Sequence, residues 1–201
     1  MGCQILEINP AYPQPRKIKL LVESLKNGGI ISFPTDSTYG IGCNVYDKAS
    51  VDRLHQIKSR DRRKPFSFLC ADLSNLAEYA NVSNQDYKLM KRLTPGPYTF
   101  VLNATRLVPK ILRTKRATVG IRVPDNSICN RIIQELGNPI ISTTAKFEGE
   151  FLADPQVIRD VFGQHLDFIV DGGLIVPVHT TVIDLTRSDP VIIRKGIGEI
   201  P

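Results

Sequence analysis

The chain is 201 residues long, 42% hydrophobic and 23% charged, with 26 lysines and arginines against 20 acidic residues and a formal net charge of +6. That length and apolar content suit one globular domain that buries its core without covalent or metal staples, and no stretch is low in complexity. The excess of cations favours an anionic partner, either nucleic acid or a nucleotide phosphate. Cys3, Cys43, Cys70 and Cys129 lie far apart, with no C-x-x-C pair and no nearby histidine cluster, which argues for reduced thiols and against a structural zinc site. The first ten residues, MGCQILEINP, lack a basic segment followed by an apolar run, and nowhere do about 18 apolar residues stand together. A cytoplasmic protein without membrane association is expected. Gly2-Cys3 fails as an acylation signal because Leu6 stands where Ser or Thr is needed.

Helices and strands alternate along the chain. Arg16 to Asn27 carries apolar residues at helical spacing and stops at Gly28-Gly29, after which Ile30 to Phe33 reads as a buried strand. Asp47 or Ser50 caps a helix through Ile57, Phe66 to Cys70 is a strand, and Asp72 starts a short helix. A helix from Asn84 to Leu93 ends at Thr94-Pro95-Gly96-Pro97. Strands follow at Tyr98 to Asn103 and Thr118 to Val123, then a helix from Asn126 to Leu136 and a strand at Pro139 to Ser142. Asp154-Pro155 opens a helix to Phe162, and strands lie near Phe168 to Val170, Thr181 to Leu185 and Val191 to Arg194. No linker divides the chain, so residues 1–201 read as a single mixed α/β domain of α+β type.

Chemistry-bearing residues gather where strands end. The stretch FPTDSTYGIG, Phe33 to Gly42, sets five hydroxyl or carboxylate side chains between a proline and two glycines directly after a strand. Ser142-Thr143-Thr144 and Thr180-Thr181 are two more hydroxyl clusters, and Arg60, Arg122, Lys146 and Arg194 stand beside strands. Arginine supplies planar two-point contacts to carboxylate or phosphate, and hydroxyls fill the remaining lone pairs. Neither G-x-x-x-x-G-K-[ST] nor G-x-G-x-x-G occurs, so a nucleotide needs a different cradle. His55, His165 and His179 have no evident nucleophile partner and read as surface or loop residues. Asp36 and Asp184 are not spaced as a metal-binding cluster, so no metal site is expected.

These segments, together with Lys58-Ser59-Arg60, Lys64-Pro65-Phe66, Thr94 to Thr99, Val119 to Pro124, Ser142 to Ala145, Thr180 to Asp184 and Ile193 to Gly196, occur in the order seen in the YrdC-like threonylcarbamoyl-AMP synthase family, which the chain resembles over nearly its whole length. The last third, with DPQVIRD, VDGGL and TTVIDLTRSDPVIIRKGIGEI, resembles the YciO branch. The resemblance implies a YrdC/RibB-like fold: a twisted mixed, largely antiparallel sheet with flanking helices around a basic cavity. It also implies a nucleotidyltransferase that joins L-threonine, bicarbonate and ATP, with Mg2+ entering on ATP, into threonylcarbamoyl-AMP and pyrophosphate. That product serves tRNA N6-threonylcarbamoyladenosine formation at position 37 with tRNA-modification proteins as partners. Carried over by motif, Lys58 and Arg60 are the catalytic charge-neutralising pair. Thr35, Thr38, Tyr39 and Arg122 hold threonine, and Lys58, Arg60, Ser142, Thr144, Lys146, Thr180 and Arg194 face the nucleotide.

Two departures stand out. The family's S-x-N appears as Thr144-Ala145-Lys146, which exchanges an amide for a cation. The sequence also ends soon after Arg194, so the extra carboxyl-terminal domain of longer members is not expected, and the loop Lys146 to Leu152 is the candidate lid. The alternative to an enzyme is a double-stranded RNA or tRNA-binding module with weak or no synthase activity. Without Trp or an aromatic-rich basic strand, such a module would read duplex shape rather than stack single-stranded bases.

Overall fold

Two patterns of apolar residues set the architecture, one repeating every second residue along strands and one repeating at three and four along helices. The computed structural model describes residues 2–57, 66–109, 112 and 116–200. Lys58 and Arg60 lie outside the described residues. In chain order the elements are β1 (Gln4–Glu7), α1 (Pro15–Lys26), β2 (Ile30–Pro34), β3 (Tyr39–Asn44), α2 (Lys48–Ile57), β4 (Ser67–Leu69), α3 (Leu76–Tyr79), β5 (Ala80–Asn81) and α4 (Asn84–Leu93). There follow β6 (Tyr98–Ala104), β7 (Thr118–Arg122), α5 (Ser127–Leu136), β8 (Ile140–Thr144), β9 (Lys146–Phe147), β10 (Glu150–Phe151), α6 (Pro155–Phe162), β11 (Phe168–Asp171), β12 (Thr181–Asp184) and β13 (Val191–Arg194).

Eleven strands form one mixed sheet in the order β1-β11-β2-β3-β8-β4-β7-β6-β12-β13, with β5 beside β6. Six of its ten pairings are antiparallel, as the expected sheet type requires. One face is largely apolar. Ile41, Phe68, Phe100, Ile121, Ile141 and Ile183 pack there against Leu54 of α2, Met90 of α4 and Ile158 of α6.

The opposite face is divided. Ile31, Phe33, Leu69, Ile140 and Val170 meet α1 and α5, whose buried positions are Ile18, Leu21, Val22 and Leu25 on one helix and Ile128, Cys129, Ile132, Ile133 and Leu136 on the other. Asn126 caps α5 by accepting from the Cys129 N–H at 3.0 Å, and Gly137 ends it in the left-handed region at φ 81°. Burying each such Leu or Ile contributes about 1.5–3 kcal/mol. Beyond the two helices the same face carries Ser67, Thr99, Thr118, Gly120, Arg122, Ser142 and Thr180, all of which line one cavity. The alternation that buries Phe68, Phe100 and Ile121 on one side therefore aims hydroxyls and a guanidinium to the other.

Several expectations change. The segment read only as a turn motif is a hairpin, β2–β3, in which Phe33 pairs with Gly40 and Ile31 with Gly42. A Cβ on Gly42 would stand 2.5 Å from the Ile141 carbonyl oxygen and 3.1 Å from the Phe33 ring, so glycine is what lets that ring lie across the sheet. β1 was not expected, because only Leu6 of its four residues is buried and no alternation announces it. The candidate lid loop is also a hairpin: β9 and β10 pair Lys146 with Phe151 around Glu148 at φ 50° and Gly149 at φ 96°. No helix among the described residues is long and apolar enough to cross a membrane.

Candidate functional site

The turn between β2 and β3 is built around one hydroxyl. Thr35 Oγ1 donates to the Thr38 carbonyl at 2.6 Å and accepts from the N–H groups of Ser37 and Thr38, each at 3.2 Å. This fixes the turn from within and throws Asp36 outward at its tip. There Asp36 meets Arg122, the last residue of β7. Arg122 Nη2 donates to Asp36 Oδ1, to Ser37 Oγ at 2.9 Å and to Thr35 Oγ1 at 3.4 Å. The pair is about nine-tenths buried, with side-chain exposures of 10% on both partners. Breaking such a pair from one side leaves a charge without compensation. Arg122 Nε, Asp36 Oδ2 and Thr38 Oγ1 are buried and have no partner among the described residues.

The irregular segment from Gly172 to Thr180 is stitched to this corner. Tyr39 Oη donates to the Gly173 carbonyl at 2.7 Å and accepts from the Gly172 N–H at 3.2 Å, while the Val178 N–H donates to the Ser37 carbonyl at 2.8 Å. Burial pushes the Tyr39 phenol up to about 12, so it stays a neutral donor. At its far end the segment meets the chain after β13, where the Ile197 N–H donates to the His179 carbonyl at 2.9 Å and the Gly196 N–H to Thr181 Oγ1 at 3.0 Å.

A second arginine faces the cavity from the sheet's end strand. Arg194 donates through Nε to the Thr180 carbonyl at 3.0 Å and through Nη2 to Thr180 Oγ1 at 2.7 Å, and that hydroxyl lies 3.3 Å from Thr99 Oγ1. Burial, and then the like charge of Arg122, lower its proton affinity. The third cation is Lys146, whose Nζ stands 3.9 Å from the centroid of the Phe151 ring. Phe151 in turn sits edge-on to His179, with ring centroids 5.0 Å apart.

The cavity between these groups has a volume of about 410 Å³, which suits a small organic ligand. Of the residues singled out in the sequence, Thr38, Arg122, Ser142, Thr144, Lys146, Thr180 and Arg194 converge on its wall. Thr35 and Tyr39 do not line it. Both stand behind the wall, with their hydroxyls spent on the turn and on Gly172-Gly173, and so shape the pocket rather than face it. Lys58 and Arg60 are outside the described residues. Sequence reasoning took Ser37 as part of the turn, Phe151 as part of the candidate lid and His179 as a surface or loop residue, and gave Ser67, Thr99 and Thr118 no site role; all six also line the cavity. For Ser67 and Thr99 the signal was available, since each is a hydroxyl one place from a buried phenylalanine on a strand.

Known proteins share this fold. The Sua5/YciO/YrdC family model, described as "Telomere recombination", matches residues 23–196. The uncharacterized protein YciO of Escherichia coli is 42% identical over 200 residues, covering 98% of this chain and 97% of that one. Its crystal structure superposes with a TM-score of 0.93. The threonylcarbamoyl-AMP synthase of Pyrococcus abyssi is 32% identical over 184 residues, covering 90% of this chain and 54% of the synthase. The crystal structure of Pyrococcus abyssi Sua5 complexed with L-threonine superposes with a TM-score of 0.89 at 29% identity, covering 96% of this chain and 57% of that one. The match over most of the chain, with the same fold and at this identity, places it in the Sua5/YciO/YrdC family.

Proposed function

We propose that this chain is a threonylcarbamoyl-AMP synthase-like nucleotidyltransferase that joins L-threonine, bicarbonate and ATP and releases pyrophosphate, feeding tRNA N6-threonylcarbamoyladenosine synthesis. The observation that carries the reading is the convergence of Arg122, Lys146 and Arg194 with a wall of hydroxyls on one cavity. Family membership, and the synthases among the relatives, support it. The buried Nε–H of Arg122 and the hydroxyl of Thr38, both without a partner among the described residues, suit the carboxylate of an amino acid. Arg194 and Lys146, with the hydroxyls of Ser142, Thr144 and Thr180, suit phosphate oxygens.

In this reading the threonine nitrogen attacks bicarbonate carbon, water leaves, and the resulting carbamate oxygen attacks the α-phosphorus as the bond to pyrophosphate breaks. The residues hold the reactants in line and offset phosphate charge, with Lys58 and Arg60 in the catalytic roles that the motif gives them. Asp36 is committed to Arg122, so the chain turns cations rather than acids toward the phosphates, and Mg2+ belongs to the ATP substrate. Pyrophosphate release should require threonine, bicarbonate and magnesium-ATP together. Release without threonine, or none at all, rejects the reading.

A second reading, a double-stranded RNA or tRNA-binding module, rests on a different surface. Lys88, Lys91 and Arg92 of α4 line an open groove with Pro190, and no acidic residue is on its described wall. An RNA duplex held there would lose affinity by decades between low and physiological salt if roughly six phosphates were contacted. Salt-independent or absent binding of a tRNA anticodon stem removes this reading.

A further inference from the structure

Among the described residues, the three cations that line the cavity, Arg122, Lys146 and Arg194, are not equivalent. Arg122 has a carboxylate partner in Asp36. Among the described residues, Arg194 donates only to the uncharged oxygens of Thr180. Lys146 rests on an aromatic ring and, among the described residues, has no acidic partner within 4.0 Å. A ring face attracts an ammonium group without cancelling its charge. Among the described residues, two positive charges without an acidic partner therefore share a cavity of about 410 Å³ with neutral hydroxyls.

The ring is held in place. Phe151 stands opposite Lys146 in the β9–β10 register, and the Leu152 N–H closes the hairpin onto the Ala145 carbonyl at 2.9 Å. Phe151 also meets His179, with ring centroids 5.0 Å apart and an interplanar angle of 62°. Two parts of the chain thus fix the plate on which the ammonium group rests, and Phe147 anchors the same hairpin to Phe162 of α6 at 6.4 Å.

We propose that Lys146, positioned by the Phe151 ring, makes the cavity selective for polyphosphate anions over a single phosphate. A lone phosphate is satisfied by Arg194 and the Thr180 hydroxyl, whereas a chain of two or three phosphates reaches the second uncompensated cation as well. The inference rests on the cavity being the ATP site and names the part of the ligand that Lys146 takes. Phe151 acts through Lys146 and is a positioning residue.

The test is calorimetric titration of the whole chain with inorganic phosphate, pyrophosphate and triphosphate at one ionic strength. Pyrophosphate and triphosphate should bind about tenfold or more tightly than phosphate, as expected for one added charge-assisted contact. Lys146→Asn should weaken both by about tenfold and phosphate by less than about twofold. Lys146→Arg should keep the preference, and Phe151→Leu should lose about threefold of it. An equal loss for all three anions, no loss, or a wild-type chain without the preference overturns the proposal. If Lys146→Asn does not fold, the Lys146→Arg and Phe151→Leu pair decides the matter. The anions require neither threonine nor turnover. Selective binding without threonine-dependent pyrophosphate release therefore defeats the synthase reading alone, and release without Lys146-dependent selectivity defeats this one alone.

Discussion

Arg122 and Arg194 face one cavity from β7 and β13 and carry the same group, yet the protein treats them in opposite ways. Arg122 is clamped by Asp36, Ser37 and Thr35, and its charge is compensated. Among the described residues Arg194 leans on Thr180 oxygens alone, and burial together with Arg122 disfavours its charge. A compensated arginine belongs to the frame, because removing its partner exposes a buried charge. An arginine without an acid has electrostatic energy still to gain, and an arriving anion supplies it.

The largest effect should come from breaking the compensated side. Asp36→Ala leaves Arg122 buried without its carboxylate and should cost about 3–5 kcal/mol of stability, read as a lower urea midpoint at unchanged slope. Arg194→Ala is the mirror experiment. Its stability should change by less than about 1 kcal/mol, while, on the proposed synthase reading, ATP affinity should fall by about tenfold or more, measured by calorimetry. If the two substitutions act alike on stability, the division between frame and ligand contact fails.

Tyr39→Phe probes the frame more gently. It removes the donor to Gly173 and the acceptor from Gly172 without changing the packed ring. A loss of about 1 kcal/mol is expected. Faster amide exchange should then appear at Val178, whose N–H ties the same segment to Ser37. Unchanged exchange at Val178 would mean that Tyr39 does not hold the segment.

The sequence made the helices and most strands legible because α1 and α5 carry one-sided apolar patterns with clear stops, and β6 and β7 alternate. It hid β3, whose glycines lower strand propensity while serving the Phe33 ring, and the β9–β10 hairpin, which is too short to show a period. The site was legible as a set of residue types and opaque as geometry. Motif order brought Arg122, Thr180 and Arg194 forward, but nothing local reveals that Asp36 meets Arg122 across 86 positions. Nor does a T-D-S-T-Y run disclose that Thr35 and Tyr39 spend their hydroxyls on the backbone. Such roles are set by tertiary pairing, which residue identity alone does not carry.

A last effect is a dependence on alkaline pH that reaches the frame arginine through a thiol. Burial pushes Cys43, Cys70 and Cys129 from the ordinary 9.0 up to about 12, and at Cys129 Arg122 opposes that rise while Asp36 adds to it. The unfolded chain releases these protons near pH 9 and the folded chain does not. The stability they contribute is therefore complete below pH 9 and declines as pH rises toward 12. Thermal unfolding midpoints should fall over that window, and Cys129→Ser should make the fall shallower by removing one of the three thiols. In Asp36→Asn the Arg122 charge acts on Cys129 without opposition, so its proton affinity drops and the alkaline decline becomes shallower too. An unaltered pH profile in both variants would mean that Cys129 does not sense the pair, and that the buried charge of Arg122 is compensated by something other than Asp36.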